Sequence, residues 1–179
     1  MKRLTLLPLI ALAVAACSET ATSPTAVRTP PLPSLAANGP TGAHLVTGTP
    51  TPSCSVNTDL TITCNSYEIA GVGNTNATAN LSATYSATID CFNPGVNPNN
   101  PVESHTTTFS ASTSSGTLSP KNGRLTIPSL TVSPFSAPQV CPNPNWTPKI
   151  RPGTLVVQSF TYTVTFAGAT VPFISITGP

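Results

Sequence analysis

The residues able to do chemistry are few. The 179-residue chain holds five Asp and Glu and two His. Asp90 ends one alternating segment and Glu103 begins another, so a hairpin between them would bring two carboxyls together. A carboxyl pair is what glycoside hydrolysis needs, one as acid and the other as base or nucleophile. Glu103 and His105 share a strand parity, and with Asp90 they form the best available set of metal ligands. Scarcity argues against both. Charged residues make up 7% of the chain, against about 25% in an ordinary soluble domain. Two solvated loop charges account for Asp90 and Glu103 more simply, and no metal or cofactor is expected. His44 falls in a proline-rich stretch, which leaves His105 alone for any Ser-His-Asp triad. No GxSxG, HExxH or phosphate-binding loop is present. A non-catalytic protein is therefore expected, with a small secreted glycan hydrolase as the alternative.

Two further features bear on binding. Trp146, the one Trp, lies in the turn-rich run Cys141-Pro-Asn-Pro-Asn-Trp-Thr147. Exposed, it would stack on a sugar or a protein partner; buried, it would cap the core beside a disulfide. It is the candidate ligand-binding residue. Thr161-x-Thr163-x-Thr165 resembles the threonine ladders of ice-binding proteins. Such surfaces need several ladders side by side and only one is visible, so a solvent-facing strand is the expectation. Three Asn-x-Ser/Thr sequons, at Asn76, Asn80 and Asn145, are incidental if the chain is bacterial.

The elements that would position these residues begin with an export signal. Lys2 and Arg3 precede an apolar run from Leu4 to Val14, followed by small Ala15 and Ala16. That run is too short to cross a hydrocarbon core, which takes about 20 residues. Val14-Ala15-Ala16-Cys17 resembles the lipobox of bacterial lipoproteins, in which the Cys is lipidated and the signal removed before it. The resemblance implies residues 1–16 as a signal peptide, Cys17 as the lipid-attachment site and anchoring to the cell envelope. Ser18, which is not Asp, points to the outer membrane. Two or more acyl chains give stable anchoring, whereas one is marginal.

Residues 17–52 are expected to form a disordered, extended Pro/Thr-rich tether without a periodic apolar pattern. Residues 53–179 are expected to form one domain. The whole chain has 30 Thr, 19 Ser and 21 Pro. Alternation dominates: Ala77 to Cys91 carries apolar residues at odd positions and polar ones at even positions, and Thr154 to Ala167 repeats the pattern with an interruption at Gln158. Val171 to Thr177 is expected as a last strand. Lys121-Asn-Gly-Arg124 carries the Asn-Gly pair of a type I′ turn, predicting a hairpin that pairs Leu118 with Ile127 and Pro120 with Leu125. Phe92 to Pro101 and Pro134 to Pro152 are expected as irregular loops. The fold class expected is an all-β, immunoglobulin-like antiparallel β-sandwich, with a jelly roll as alternative. Formal net charge is +2, and removal of Lys2 and Arg3 brings it to zero, so neither nucleic acid nor anionic lipid is an electrostatic partner.

With Cys17 lipidated, four Cys remain in an exported domain and imply two disulfides. Cys54 and Cys64 flank an expected hairpin turning near Thr58-Asp59. Cys91 ends the long first strand and Cys141 follows a loop. The pairing Cys54–Cys64 with Cys91–Cys141 is expected. No CxxC pair favours a zinc site instead.

The run Ile69-Ala-Gly-Val-Gly-Asn74, Cys91-Phe-Asn93, Lys121-Asn-Gly123 and Cys141-Pro-Asn-Pro-Asn-Trp-Thr147 resembles a pattern in uncharacterised exported lipoproteins of environmental bacteria, of Gemmatimonadota type and actinobacterial relatives. It departs from that pattern after Cys91, where Phe-Asn-Pro-Gly stands in place of Asn-Gly-Gly. The resemblance implies a secreted β-domain with a Cys91–Cys141 bond, and it implies no known activity. The functional expectation is a lipid-anchored envelope protein displaying a non-catalytic binding or structural module, its partner a carbohydrate or protein of the cell surface. An adhesion or purely structural role is the further alternative.

Overall fold

Strict alternation from Ala77 to Phe92 yields a strand with one buried and one solvated face, and the rest of the architecture is assembled around it. The structure, a computed structural model, describes residues 34–35, 38–95, 99–134 and 136–179. The expected signal peptide, Cys17 and the tether up to residue 33 lie outside the described residues. In chain order the strands are β1 (Ser34–Leu35), β2 (His44–Leu45), β3 (Cys54–Val56), β4 (Ile62–Cys64), β5 (Tyr67–Ala70), β6 (Ala77–Phe92), β7 (Glu103–Leu118), β8 (Arg124–Ile127), β9 (Leu130–Val132), β10 (Thr147–Ile150), β11 (Val156–Phe166) and β12 (Ile174–Gly178). No helix occurs among the described residues.

The large sheet runs β1-β12-β11-β6, with β10 continuing beyond β11 along the same flank of β6 and β7 on the other flank. Two small sheets, β2-β5-β8 and β3-β4-β9, pack against it. Every pairing is antiparallel. The chain is thus an all-β antiparallel sandwich.

The core lies between these layers. Ala77, Ala79, Leu81, Ala83 and Tyr85 of β6 meet Phe160, Tyr162 and Val164 of β11, Ile174 and Ile176 of β12, and Ile62, Ile69, Leu125, Ile127 and Val132 of the small sheets. The small Ala side chains on β6 let the facing layer come close where the neighbouring rings are large. Two tyrosines join the layers by polar contact. Tyr67 of β5 and Tyr162 of β11 share a hydroxyl hydrogen bond of 2.9 Å in the core. Tyr85 donates to the carbonyl of Leu60, in the β3–β4 turn, at 3.3 Å. Burial pushes the Tyr67 hydroxyl well above the ordinary phenol range and raises that of Tyr162.

Both expected disulfides are present. Cys54 and Cys64 face each other across β3 and β4. Cys91–Cys141 spans 50 residues, and in the chain-entropy model such a closure contributes about 4 kcal/mol. Asn122 and Gly123 have φ of 52° and 73°, the two left-handed residues a type I′ turn requires. Gln158 sits at a register shift between Val157 and Ser159, so the interruption in the alternation is a β-bulge.

Several expectations require correction. The strands flanking the Asn-Gly turn do not pair with each other beyond the Lys121–Arg124 bridge. β7 joins β6, whereas β8 crosses to β5, so Leu118 lies opposite Ala77 and Ile127 opposite Tyr67. The sheets also extend to the N-terminal side of residue 53: His44–Leu45 pairs with β5, Ser34–Leu35 pairs with β12, and Ala43 and Leu45 pack on the core. Gly71 allows this attachment. Its φ is 73°, and a Cβ there would collide with the Gly42 backbone. Finally, β10 forms within the stretch 134–152, which was expected to be irregular.

The tyrosine pair yields a prediction. Tyr67→Phe leaves the Tyr162 hydroxyl buried without a partner, a loss of about 1–3 kcal/mol. Adding Tyr162→Phe removes the orphan, so the double variant should be more stable than Tyr67→Phe alone. Urea denaturation of the three variants measures the coupling.

Candidate functional site

The alternation on β6 governs which side chains can meet. Odd residues face the core and even residues face solvent. Asp90 lies opposite Ser104, and Cys91 opposite Glu103. The two carboxyls of the expected acid pair therefore stand on opposite faces of the sheet. This removes both the hydrolase arrangement and the Asp90-Glu103-His105 metal set. No group of three or more potential metal-binding His, Cys, Asp or Glu occurs among the described residues.

Each acid instead has a structural partner. Arg151 holds Asp90 in a fork: Nε lies 3.2 Å from both carboxylate oxygens and Nη2 lies 2.7 Å from Oδ1. Ser104 Oγ donates to the same Oδ1 at 2.6 Å and accepts from Arg151 Nη2 at 2.8 Å. The Arg151 amide donates to the Thr88 carbonyl at 2.8 Å. This clamp fastens the segment after β10 onto β6 and β7. The Arg151 and Ser104 hydrogen bonds hold the Asp90 carboxyl below its usual range, and the carboxylate in turn pushes the Arg151 guanidinium up. Glu103 lies against His105 on the inner side of β7, and Glu68 pairs with Arg124 at 3.2 Å.

Trp146 is half-buried and belongs to neither the core cluster nor the apolar side chains packed on it. Its amide donates to the Asn143 carbonyl at 3.0 Å. The next residue, Thr147, opens β10 opposite Phe92. Lys149 Nζ sits 4.7 Å from the centre of the Phe92 ring. Trp146 thus stands at one end of the large sheet, outside the packed interior. His44 is exposed, with Nδ1 2.7 Å from the Gly42 carbonyl.

The outer face of the large sheet is a broad surface of Ser, Thr and Asn side chains, interrupted by the exposed Val156 opposite Ser86. The threonines of β11 are not a single ladder. Thr161 lies between Ser82 and Thr177, and Ser112 flanks Ser82. Thr163 lies between Asn80 and Ser175, and Ser114 flanks Asn80. Thr165 faces Thr78, which faces Thr117. Rows of Ser, Thr and Asn thus cross the sheet over up to four strands, about 4.8 Å apart laterally and about 6.7 Å apart along each strand. β-branching restricts χ1 in threonine, which limits where its hydroxyl can point. Toward β10 the rows continue through Thr84–Ser110, at 3.4 Å, and Thr88–Thr106, at 3.2 Å. The only charges on the described part of this face are the clamp and Lys149 at that end. At the opposite end an open depression is lined by Asn76, Thr78, Asn80, Thr117 and Thr165, with Phe166 and Ala167 beside them. Sequence reasoning missed this surface because its rows come from segments far apart in the chain. The even positions of 78–88 and 104–114 carry the signal, once the strands are known to be neighbours.

No protein-family model, curated protein or solved structure matches this chain.

The clamp predicts a pH dependence. A carboxyl held below its unfolded value stabilises the fold at pH above the ordinary 3.8, and this contribution disappears as pH falls through the folded value. Asp90→Asn should therefore lower the urea midpoint at neutral pH, and the deficit should close as the pH is taken below 3.8. Parallel denaturation series for the two proteins check this.

Proposed function

We propose that this chain is a lipid-anchored protein of the bacterial cell envelope, carried by Cys17 at the outer membrane, that displays a non-catalytic binding module on a tether. The observation that carries the binding role is the hydroxyl-covered outer face of the large sheet. A surface mainly of Ser, Thr and Asn, with Val156 among them and uncharged except at one end, suits a neutral, heavily hydroxylated partner, since each hydroxyl both donates and accepts. Wall or surface polysaccharide is the partner class. The depression at Asn80 and Thr165 offers hydrogen-bonding groups beside an apolar edge, the combination that sugar-sized ligands use. Trp146, half-exposed at the other end, is the second candidate contact. The absence of a shared face for Asp90 and Glu103 supports a non-catalytic role.

The regularity of the rows favours a second reading, in which the face orders water and binds ice. Hydroxyls at fixed lateral and longitudinal spacing are what a periodic solid would recognise, and a solvated single strand does not account for rows spanning the sheet.

Two measurements test these proposals. Palmitate labelling in the native host should mark the wild type and be lost in Cys17→Ser. Affinity electrophoresis of the full chain through gels containing cell-wall polysaccharide should show retardation that is lost in Asn80→Lys with Thr165→Lys and kept in Trp146→Ala. Loss with Trp146→Ala alone would move the site to the 134–152 segment. No retardation, together with slowed ice-crystal growth that the same lysines abolish, would select the second reading.

A further inference from the structure

The edges of this sandwich are not protected alike. At one side of the large sheet, β12 is covered by Ser34–Leu35. The outermost strands of the small sheets are two to four residues long, and short edges resist unwanted pairing. β7 is the exception. It runs 16 residues and, among the described residues, pairs on one flank alone, with β6.

The direction of its free backbone groups follows from β6. The Thr88 amide donates to Thr154 Oγ1 at 3.1 Å, and its carbonyl accepts from the Arg151 amide, so Thr88 turns its main chain away from β7. Backbone direction alternates along an antiparallel ladder. Thr106, opposite Thr88, therefore also turns its amide and carbonyl away from β6, as do Thr108, Ser110 and Ser112. These groups form the open edge.

The usual devices that keep such an edge single are missing from its middle. From Thr106 to Ser114 there is no charge, proline or glycine. The acidic Glu103, with His105 beside it, stands at one end, and a bulge at Ser115–Gly116 closes the other. At the midpoint of Ser104–Ser114 stands Phe109, the one aromatic residue of β7. Its ring stacks on Tyr85 with centroids 5.8 Å apart, yet it remains half-exposed at the rim of the sandwich.

We infer that β7 is a homodimer interface, in which the edge pairs antiparallel with β7 of a second copy about a two-fold axis at Phe109. This inference does not rest on the reading of the hydroxyl face. The register sets Phe109 against Phe109 of the other copy, Ser110 against Thr108, and Ser112 against Thr106. Phe109 turns its own main chain toward β6, so the central pair is a non-hydrogen-bonded one, where side chains approach most closely. The two rings cover each other, an arrangement favoured between aromatic side chains. Antiparallel pairing places each Glu103–His105 pair at an opposite end of the seam, so like charges stay apart. A second copy fits for this reason: the strand is complementary to itself. The N-terminal segment lies at the far edge of the sheet, so both copies can remain anchored. The pairing would also join two hydroxyl faces into one surface.

The test uses the protein as purified from its native host, in detergent matched to solvent density, with mass read by analytical ultracentrifugation over a wide concentration range. Wild type should show twice the chain mass. Ser110→Pro removes an amide that β6 does not use and should give monomers with an unchanged circular dichroism spectrum. Should that variant misfold, charge substitutions keep the question open to decision. Thr106→Lys with Ser112→Lys places like charges across the seam and should give monomers. Thr106→Lys with Ser112→Glu places opposite charges there and should restore the dimer. A monomeric wild type at every concentration, a dimer insensitive to both lysines, or a failure of the Lys/Glu pair to restore pairing would each overturn the inference.

Discussion

The fold depends on one strand having hydrogen-bonded neighbours along both flanks while burying one face completely. β6 carries β7 on one side and β11 followed by β10 on the other. Its inward residues from Ala77 to Cys91 are all buried. A slip of one residue would exchange every Ala, Leu, Tyr and Ile for Thr, Ser and Asn, so the register is set by burial. The alternation of small and large side chains matters as much as the period. Ala79 and Ala83 leave room beside Leu81 and Tyr85, and the rings of Tyr162 and Phe160 arrive from β11 in the same core. The second layer is divided into two three-stranded sheets, and they share this single platform.

A chain with so few charges must satisfy its polar groups by other means. Threonine and serine hydroxyls serve in place of lysine and glutamate on the solvent face. In the core, tyrosines serve where a wholly apolar contact would leave the layers unlinked by hydrogen bonds. The few charged side chains go to particular places. Arg151 and Asp90 fasten the end of a long irregular segment that the Cys91–Cys141 bond already holds near its start. The covalent link and the ionic clamp thus act on the two ends of β10, a strand of four residues whose own pairing would be a weak attachment.

What could be read from sequence was local. The period-2 runs became β6 and β11, and the break at Gln158 became a bulge. Asn122-Gly123 made the turn it encodes, and the Cys54–Cys64 hairpin closed around Thr58-Asp59. What could not be read was where a local element goes next. Asn-Gly fixes a turn but not the sheet to which each arm belongs, and here hydrophobic burial sends β8 to β5 while β7 stays with β6. The start of β7 at Glu103 and its hairpin with β6 were legible, but its length was not, because threonine suits both faces of a sheet and Thr106-Thr107-Thr108 shows no clear alternation. Asp90 and Glu103 looked like a pair because they are near in sequence across a turn. Their rungs are adjacent, and the pleat places them on opposite faces. The partner of Asp90 lies 61 residues away, and no local pattern announces it.

The same compositional choice that leaves the outer face uniform also determines how the molecule meets its surroundings. Lysines on an edge strand protect it by cost of desolvation and by repulsion, and beyond Lys2 this chain has two lysines, Lys121 and Lys149. Neither is on β7. A surface of hydroxyls is well hydrated without being repulsive toward its own kind, so solubility and self-avoidance are separated here. An anchored protein tolerates this better than a freely diffusing one. Membrane attachment at residue 17 would confine copies to a plane with similar orientation, which limits assembly to geometries compatible with a common surface. A two-fold axis along the membrane normal meets that condition, since it keeps both N-termini on one side, whereas open-ended edge-to-edge growth needs a second exposed edge. On β12, Ser34–Leu35 already pairs with Ser175 and Ile174. In the proposed dimer, the far side of the large sheet would then present only a two-residue strand, and so short an edge resists further pairing.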